Sequence, residues 1–202
     1  MLYPDRFYPV VDTVAWVARL ALLGVGTIQL RAKKLSKADA LQTVKDALEV
    51  LSGTKAKLVV NDYWRAAIEA GAKHLHLGQE DLAEADVAAI KAAGLTLGIS
   101  THDDAELETA LAAQPDYVAL GPIFPTTLKS MRFAPQGIAK ITEWKKRVGD
   151  LPLVAIGGIK LEHAKEIFAA GADSIAVVSD VTQNADPDAR VKKWLGQSAK
   201  AA

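Results

Sequence analysis

Asp116-Tyr-Val-Ala-Leu-Gly-Pro-Ile-Phe-Pro-Thr-Thr-Leu-Lys129 joins two parts of different character. The run Tyr117–Gly121 is short, apolar and uncharged, as in a parallel strand buried on both faces. The residues after it form a loop with hydroxyls at Thr126 and Thr127 and a cation at Lys129. Hydroxyls offer hydrogen bonds and an ammonium offers charge, so the loop suits a phosphate-bearing ligand. The pattern recurs downstream, where Leu153-Val-Ala-Ile156 runs into Gly157-Gly158-Ile159. Two such units late in one chain point to a barrel enzyme acting on phosphorylated small molecules.

Working outward, similar apolar runs occupy Phe7–Val11, Thr27–Ala32, Lys57–Asn61, His74–Gly78, Thr96–Ser100, Tyr117–Gly121, Leu153–Gly157 and Ser174–Ser179. Between them lie Ala/Leu-rich segments with helical spacing. In Ser36–Leu51 the apolar positions are Leu41, Val44, Leu48 and Leu51; Ser36 is placed to cap the start and Gly53 follows the end. Thr101-His-Asp-Asp104 prepares a similar start for Ala105–Ala113. Ala-Gly-Ala at Ala70–Ala72 and Ala170–Ala172 marks equivalent helix-to-strand turns. This alternation predicts an α/β fold, a single-domain (β/α)8 TIM barrel over residues 1–202, with 197–202 as a disordered tail. An open doubly wound sheet ranks second, because no glycine fingerprint follows the first strand.

Composition narrows the function. The 202 residues are half hydrophobic, enough for one substantial core. Lysine plus arginine and aspartate plus glutamate balance at 24 each, so no basic excess argues for nucleic acid. The charge-poor stretch 14–30 is broken by Arg19, Gly24 and Gly26, making a poor membrane span. With no cysteine, thiolate zinc sites, disulfides and cysteine nucleophiles are excluded. The expectation is a cytoplasmic enzyme for small phosphorylated substrates, with homo-oligomerisation left open.

In a barrel, chemistry gathers where strands end. At the second strand, alternation puts Gln29, Arg31 and Lys33 on one face. A polyanionic ligand would satisfy them, and so would ion pairs with barrel carboxylates. Asp62 and Asp81 follow the adjacent third and fourth strands. Both are placed to share a magnesium ion, which takes one or two carboxylates plus phosphate oxygens. Both are equally placed to cap helices. Ser100, read alone, is a cap or turn residue. Gly158 and Ser179 fall after the seventh and eighth strands, where barrel phosphate sites gather. His74 and His76 share a strand face but lack a third nitrogen or sulfur ligand, so they read as hydrogen-bonded barrel residues. His102 reads as a loop residue, and His163 as an exposed one near a helix start. The four tryptophans, Trp16, Trp64, Trp144 and Trp194, read as helix–barrel packing.

Seven motifs then fall in one order: Gln29-Leu-Arg-Ala-Lys33, Asn61-Asp62, His76-Leu-Gly-Gln-Glu-Asp81, Gly98-Ile-Ser100, Gly121-Pro-Ile-Phe-Pro-Thr126 with Lys129, Ala155-Ile-Gly-Gly-Ile159 and Val178-Ser179. Together they resemble the thiamine phosphate synthase (thiamine-phosphate pyrophosphorylase) family over nearly the whole chain. The resemblance implies a transferase of thiamine biosynthesis. It would condense 4-amino-5-hydroxymethyl-2-methylpyrimidine diphosphate with a thiazole phosphate, releasing pyrophosphate with Mg2+ assistance. It assigns Gln29, Leu30, Arg31, Ala32, Lys33, Asn61, Ser100 and Lys129 to the pyrimidine diphosphate, with Arg31, Lys33, Ser100 and Lys129 catalytic. It assigns Asp62 and Asp81 to the metal, and Thr126, Thr127, Leu128, Gly158, Val178 and Ser179 to the thiazole phosphate. The family usually has Thr-x-Thr-Lys where this chain has Thr126-Thr-Leu-Lys129. The rival expectations are a thiazole tautomerase on the same fold and a non-catalytic phosphate-binding regulator.

Overall fold

The computed structural model describes residues 3–126 and 133–199. Its strands are β1 (Phe7–Val11), β2 (Thr27–Leu30), β3 (Lys57–Asn61), β4 (His74–Leu77), β5 (Thr96–Thr101), β6 (Tyr117–Leu120), β7 (Leu153–Ile156) and β8 (Ser174–Val177). Each pairs in parallel with its sequence neighbour, and β8 returns to β1, closing the predicted barrel. The described helices are α1 (Val14–Leu22), α2 (Lys37–Val50), α3 (Trp64–Glu69), α4 (Gln79–Glu84), α5 (Val87–Ala92), α6 (Asp104–Ala112), α7 (Gly137–Val148), α8 (Ala164–Ala169), α9 (Ser179–Thr182) and α10 (Pro187–Ala199). Among the described residues, no helix is long and apolar enough to cross a membrane. Helix α10 reaches into the segment expected as a tail, and residues 200–202 lie outside the described residues.

The punctuation read from the sequence has direct physical counterparts. Ser36 accepts from the Asp39 N–H and caps α2. Asp103, inside the expected Thr101–Asp104 start signal, accepts from the Glu106 N–H and caps α6. Gly71 and Gly171 take φ of 75° and 107°, a left-handed turn that lets Ala72 and Ala172 donate back to Ala67 and Ile167.

Five strands end earlier than expected, β4, β6 and β7 by one residue and β2 and β8 by two. At β2 the Arg31 N–H still donates to the Val11 carbonyl, after which the chain leaves the sheet, so Ala32 belongs to the mouth. At β8 the Val178 carbonyl accepts from Val181 and Thr182, which turns Val178 and Ser179 into the start of α9.

The interior divides into two cores. A continuous apolar layer between strands and helices includes Ile28, Leu75, Ile99 and Trp144. Trp194 belongs to it, its ring stacked on Phe7 with centroids 5.2 Å apart. The lumen is a smaller cluster built around Tyr8, Val10, Val59, Tyr117, Ala119, Val154 and Ala176. Register places Asn61 beside His76, His76 beside Gly98 and Gly98 beside Tyr117 on successive strands. A Cβ on Gly98 would sit 1.9 Å from Tyr117 Cζ, so glycine is what lets the Tyr117 ring lean across β5.

Candidate active site

The mouth of the barrel has two differently built sides. On the first, β2, β3 and β4 bring together the polar residues read from the sequence. Gln29 is buried and donates through Nε2 to the Tyr8 hydroxyl at 2.7 Å. Leu30 is buried, Arg31 and Ala32 are half-buried, and Lys33 is exposed. Asn61 is buried with its side chain close to the Asp62 carboxyl, though its Nδ2 makes no well-formed hydrogen bond.

Asp62 follows at a φ of 65°, a left-handed conformation that costs a non-glycine residue roughly 1–3 kcal/mol. The turn is fixed by backbone bonds from Asp62 N–H to the His76 carbonyl, Tyr63 N–H to Asn61 and Trp64 N–H to Asp62. Helix α3 has Tyr63 at its N-cap position with no side-chain cap bond, so Asp62 does not act as the cap. Helix α4 begins after Gly78, and Asp81 lies within its first turn.

The two carboxylates converge instead. Burial pushes the Asp62 carboxyl up to about 6; the Asp81 charge adds to this, as does a hydrogen bond between the two side chains. The Arg31 guanidinium works in the opposite direction and is therefore near the same point. Two oxygen-donor side chains this close, with one forced toward its protonated form, match what a hard divalent cation would relieve. Among the described residues no group of three or more His, Asp or Glu side chains could close a metal cage, so a Mg2+ ion here would draw further oxygens from substrate and water.

Ser100 is a strand residue of β5 rather than a cap, and its Oγ lies 2.8 Å from His76 Nε2. His76 is buried; burial, and then the Arg31 charge, push its imidazolium down to about 3. His74 stacks on Tyr3 at 4.5 Å and its Nδ1 is unpartnered. The two histidines therefore form no metal pair. His102 lies outside regular structure, with Nδ1 2.6 Å from Glu106 Oε2. His163, expected to be exposed, is half-buried against Phe124, with ring centroids 4.2 Å apart.

The second side is made by the loops after β6, β7 and β8. Phe124 N–H donates to the Gly157 carbonyl and Ile123 N–H to Ile156, while Gln136 and Gly137 donate to Pro122 and Ile123. The base of the sixth loop is thus held from both flanks. Gly158 has a φ of 66°, and a Cβ there would meet the Pro125 carbonyl oxygen at 2.5 Å. Beyond these glycines opens a cavity of about 550 Å³ lined by Thr126, Gly158, Ser179, Asp180 and Arg190 among others. Val178 and Ser179 are half-buried, and of the two Ser179 lines the cavity. Thr127, Leu128 and Lys129 lie outside the described residues.

Two features had no forecast from sequence. Arg190 grips Glu162 with both terminal nitrogens at 2.8 and 2.7 Å, and also Asp180, whose carboxylate accepts from Trp194 Nε1 as well. Tyr8 and Tyr117 carry a polar file through the lumen. The sequence signal for the latter was Gly98, a glycine inside a strand, which marks a close approach.

Comparisons with known proteins identify the family. The family model for thiamine monophosphate synthase matches residues 6–181. The thiamine-phosphate synthase of Rhizobium etli is 53% identical over 195 residues, covering 96% of each chain. That of Neisseria meningitidis serogroup B is 49% identical over 191 residues, covering 95% of this chain and 93% of its own. Among solved structures, the thiamine phosphate pyrophosphorylase from Pyrococcus furiosus superposes with a TM-score of 0.81 at 27% identity, covering 96% of both chains. A 3-hexulose-6-phosphate synthase superposes at 0.70 with 16% identity, a likeness of fold alone.

Proposed function

The chain belongs to the thiamine monophosphate synthase family, and from that premise we propose that it joins 4-amino-5-hydroxymethyl-2-methylpyrimidine diphosphate to a thiazole phosphate, giving thiamine phosphate and pyrophosphate. The observation that carries this reading is the meeting of Asp62 and Asp81 beside Arg31, a site whose charge is unsettled without a cation and a polyanion.

Gln29, Leu30, Arg31, Ala32, Lys33, Asn61, Ser100 and Lys129 take the pyrimidine diphosphate. The Asn61 Nδ2, which makes no well-formed hydrogen bond within the chain, then gains an acceptor. Asp62 and Asp81 hold Mg2+, which when bound supplies Lewis-acid stabilisation of charge on the leaving diphosphate. The C–O bond between the methylene and the diphosphate breaks, its electron pair leaving with pyrophosphate. The electron-rich aminopyrimidine carries the resulting positive charge, so the path is dissociative. The thiazole nitrogen then donates its lone pair to the methylene carbon, and no enzyme nucleophile is required. Arg31, Lys33 and Lys129 hold positive charge where negative charge grows, and such preorganised charge counts most in a site that excludes water.

Thr126, Thr127, Leu128, Gly158, Val178 and Ser179 seat the thiazole phosphate. The Arg190 charge is matched by Glu162 and Asp180, so this seat relies on backbone N–H groups and hydroxyls, with Lys160 as the further cation lining the cavity. A cytoplasmic setting fits two phosphorylated small-molecule substrates. The test is incubation with both substrates and Mg2+, followed by mass detection of thiamine phosphate and equimolar pyrophosphate. Isomerisation of a thiazole carboxylate phosphate without condensation, or ligand binding with no product, overturns the reading.

A further inference from the structure

A file of hydrogen-bonded side chains crosses the lumen and ends at Ser100. Gln29 Nε2 donates to the Tyr8 hydroxyl at 2.7 Å. The Tyr8 and Tyr117 hydroxyls are 2.8 Å apart. The Tyr117 hydroxyl is 3.0 Å from His76 Nδ1, and His76 Nε2 is 2.8 Å from Ser100 Oγ. Gln29, Tyr8, Tyr117 and His76 are all buried, so water does not compete for these bonds.

Counting protons gives the file a direction. Each hydroxyl has one proton to donate, and a neutral imidazole has one N–H. The His76 ring is buried between two neutral hydroxyls, with no carboxylate among its hydrogen-bond partners to hold a charge, so it is neutral. The Gln29 amide nitrogen only donates, so the Tyr8 oxygen accepts at that end. If Tyr8 then donates to Tyr117, Tyr117 donates to Nδ1, and His76 carries its proton on Nε2 and donates to Ser100 Oγ. The Ser100 proton is left to point into the mouth.

The opposite direction strands a proton. Tyr117 would donate to Tyr8, and among the described residues the Tyr8 hydroxyl has no partner beyond Tyr117 and the Gln29 nitrogen. Its own proton would be buried with no acceptor, and an unmade buried bond costs more than a made one contributes. Chains of this kind also polarise each other, which favours one concerted direction.

We propose that Tyr8, Tyr117 and His76 are positioning residues which, with Gln29 anchoring the far end in addition to its substrate contact, fix the Ser100 hydroxyl as a hydrogen-bond donor toward an acceptor atom of the pyrimidine diphosphate. The inference rests on the proposed contact between Ser100 and this substrate. None of the four needs to transfer a proton, since the file sets an orientation and does not conduct.

The test begins with the free protein labelled with 15N-histidine, its long-range 1H–15N spectra recorded from pH 5.5 to 8 and His76 assigned through His76→Gln. The expected result is a neutral imidazole protonated on Nε2 throughout. Protonation on Nδ1, or titration in that range, overturns the proposal without reference to turnover. Tyr117→Phe is expected to give a mixture of tautomers, and an unchanged Nε2–H form would remove Tyr117 from the device. In turnover, Tyr117→Phe should lower kcat/KM for the pyrimidine diphosphate about tenfold, the worth of one hydrogen bond, and Tyr8→Phe should lower it less. On a Ser100→Ala background Tyr117→Phe should cost nothing more, and multiplicative losses overturn the proposal. Normal turnover in Ser100→Ala, with the expected tautomer present, overturns the Ser100 contact and with it the purpose assigned to the file.

Discussion

The two sides of the barrel mouth deal with charge in opposite ways. Around β3 and β4, Asp62 is held in a left-handed turn against Asp81, and burial, with the Asp81 charge adding to it, pushes its carboxyl up to about 6. Around β7 and β8, one cation is matched internally while a second, Lys160, also lines the cavity. Arg190 is shared between Glu162 and Asp180, and Asp180 also accepts from Trp194. The first side holds a buried, strained carboxyl that a bound cation would relieve. The second presents glycine backbone, hydroxyls and Lys160 toward its cavity.

The contrast is broken most severely on the acid side. Asp62→Ala and Asp81→Ala should each lower the condensation rate by about 10²–10³, the scale seen when a preorganised electrostatic contact is removed. Both should still unfold cooperatively in thermal melts, because neither carboxylate caps its helix. Near-normal turnover in both variants would dissolve the distinction between the two sides. A smaller effect is expected on the glycine side. In Gly158→Ala the new methyl would meet the Pro125 and Phe124 carbonyl oxygens at 2.5 and 2.7 Å, forcing the sixth loop outward. KM for the thiazole phosphate should rise about tenfold, the equivalent of one lost hydrogen bond. KM for the pyrimidine diphosphate should stay close to wild type; movement of that constant alone would show that the mouth is not divided as proposed.

Much of this was legible in the sequence, for identifiable reasons. Buried parallel strands must be short apolar runs, so the barrel could be counted from its strands. Asp62 and Asp81 could be paired because adjacent strand ends in a parallel barrel are adjacent in space. The same logic placed Gly158 and Ser179 at one cavity. What stayed hidden depended on partners far apart in the chain. The bond between Tyr8 and Tyr117 spans 109 residues, and hydroxyls on otherwise apolar strands read as core. His163 read as exposed because nothing local shows that Phe124, from another loop, covers it. Arg190 and Asp180 lie on different helices, α10 and α9, so helical spacing does not pair them.

The smallest expected effect is the most direct measure of stored strain. Asp62 has its folded-state pKa raised from 3.8 to about 6. The folded protein therefore binds that proton more tightly than the unfolded chain. The resulting stabilisation is complete below pH 4 and is lost as pH rises through 6. At pH 8 the ionised Asp62 is a liability in the metal-free protein. Asp62→Asn removes the charge and keeps the shape, so without Mg2+ it should be more stable than wild type at pH 8, by about 1 kcal/mol. A shift of about two units corresponds to roughly 3 kcal/mol at most, and water at the open mouth takes back much of that. At pH 4 the two proteins should converge. Saturating Mg2+ should reverse the order at pH 8, because a ligand that binds only the folded state stabilises the chain that binds it better. Urea unfolding with chelator and with Mg2+ at both pH values reads all of these differences. A gap between variant and wild type that is the same at pH 4 and pH 8 would mean that Asp62 carries no strain for a cation to relieve.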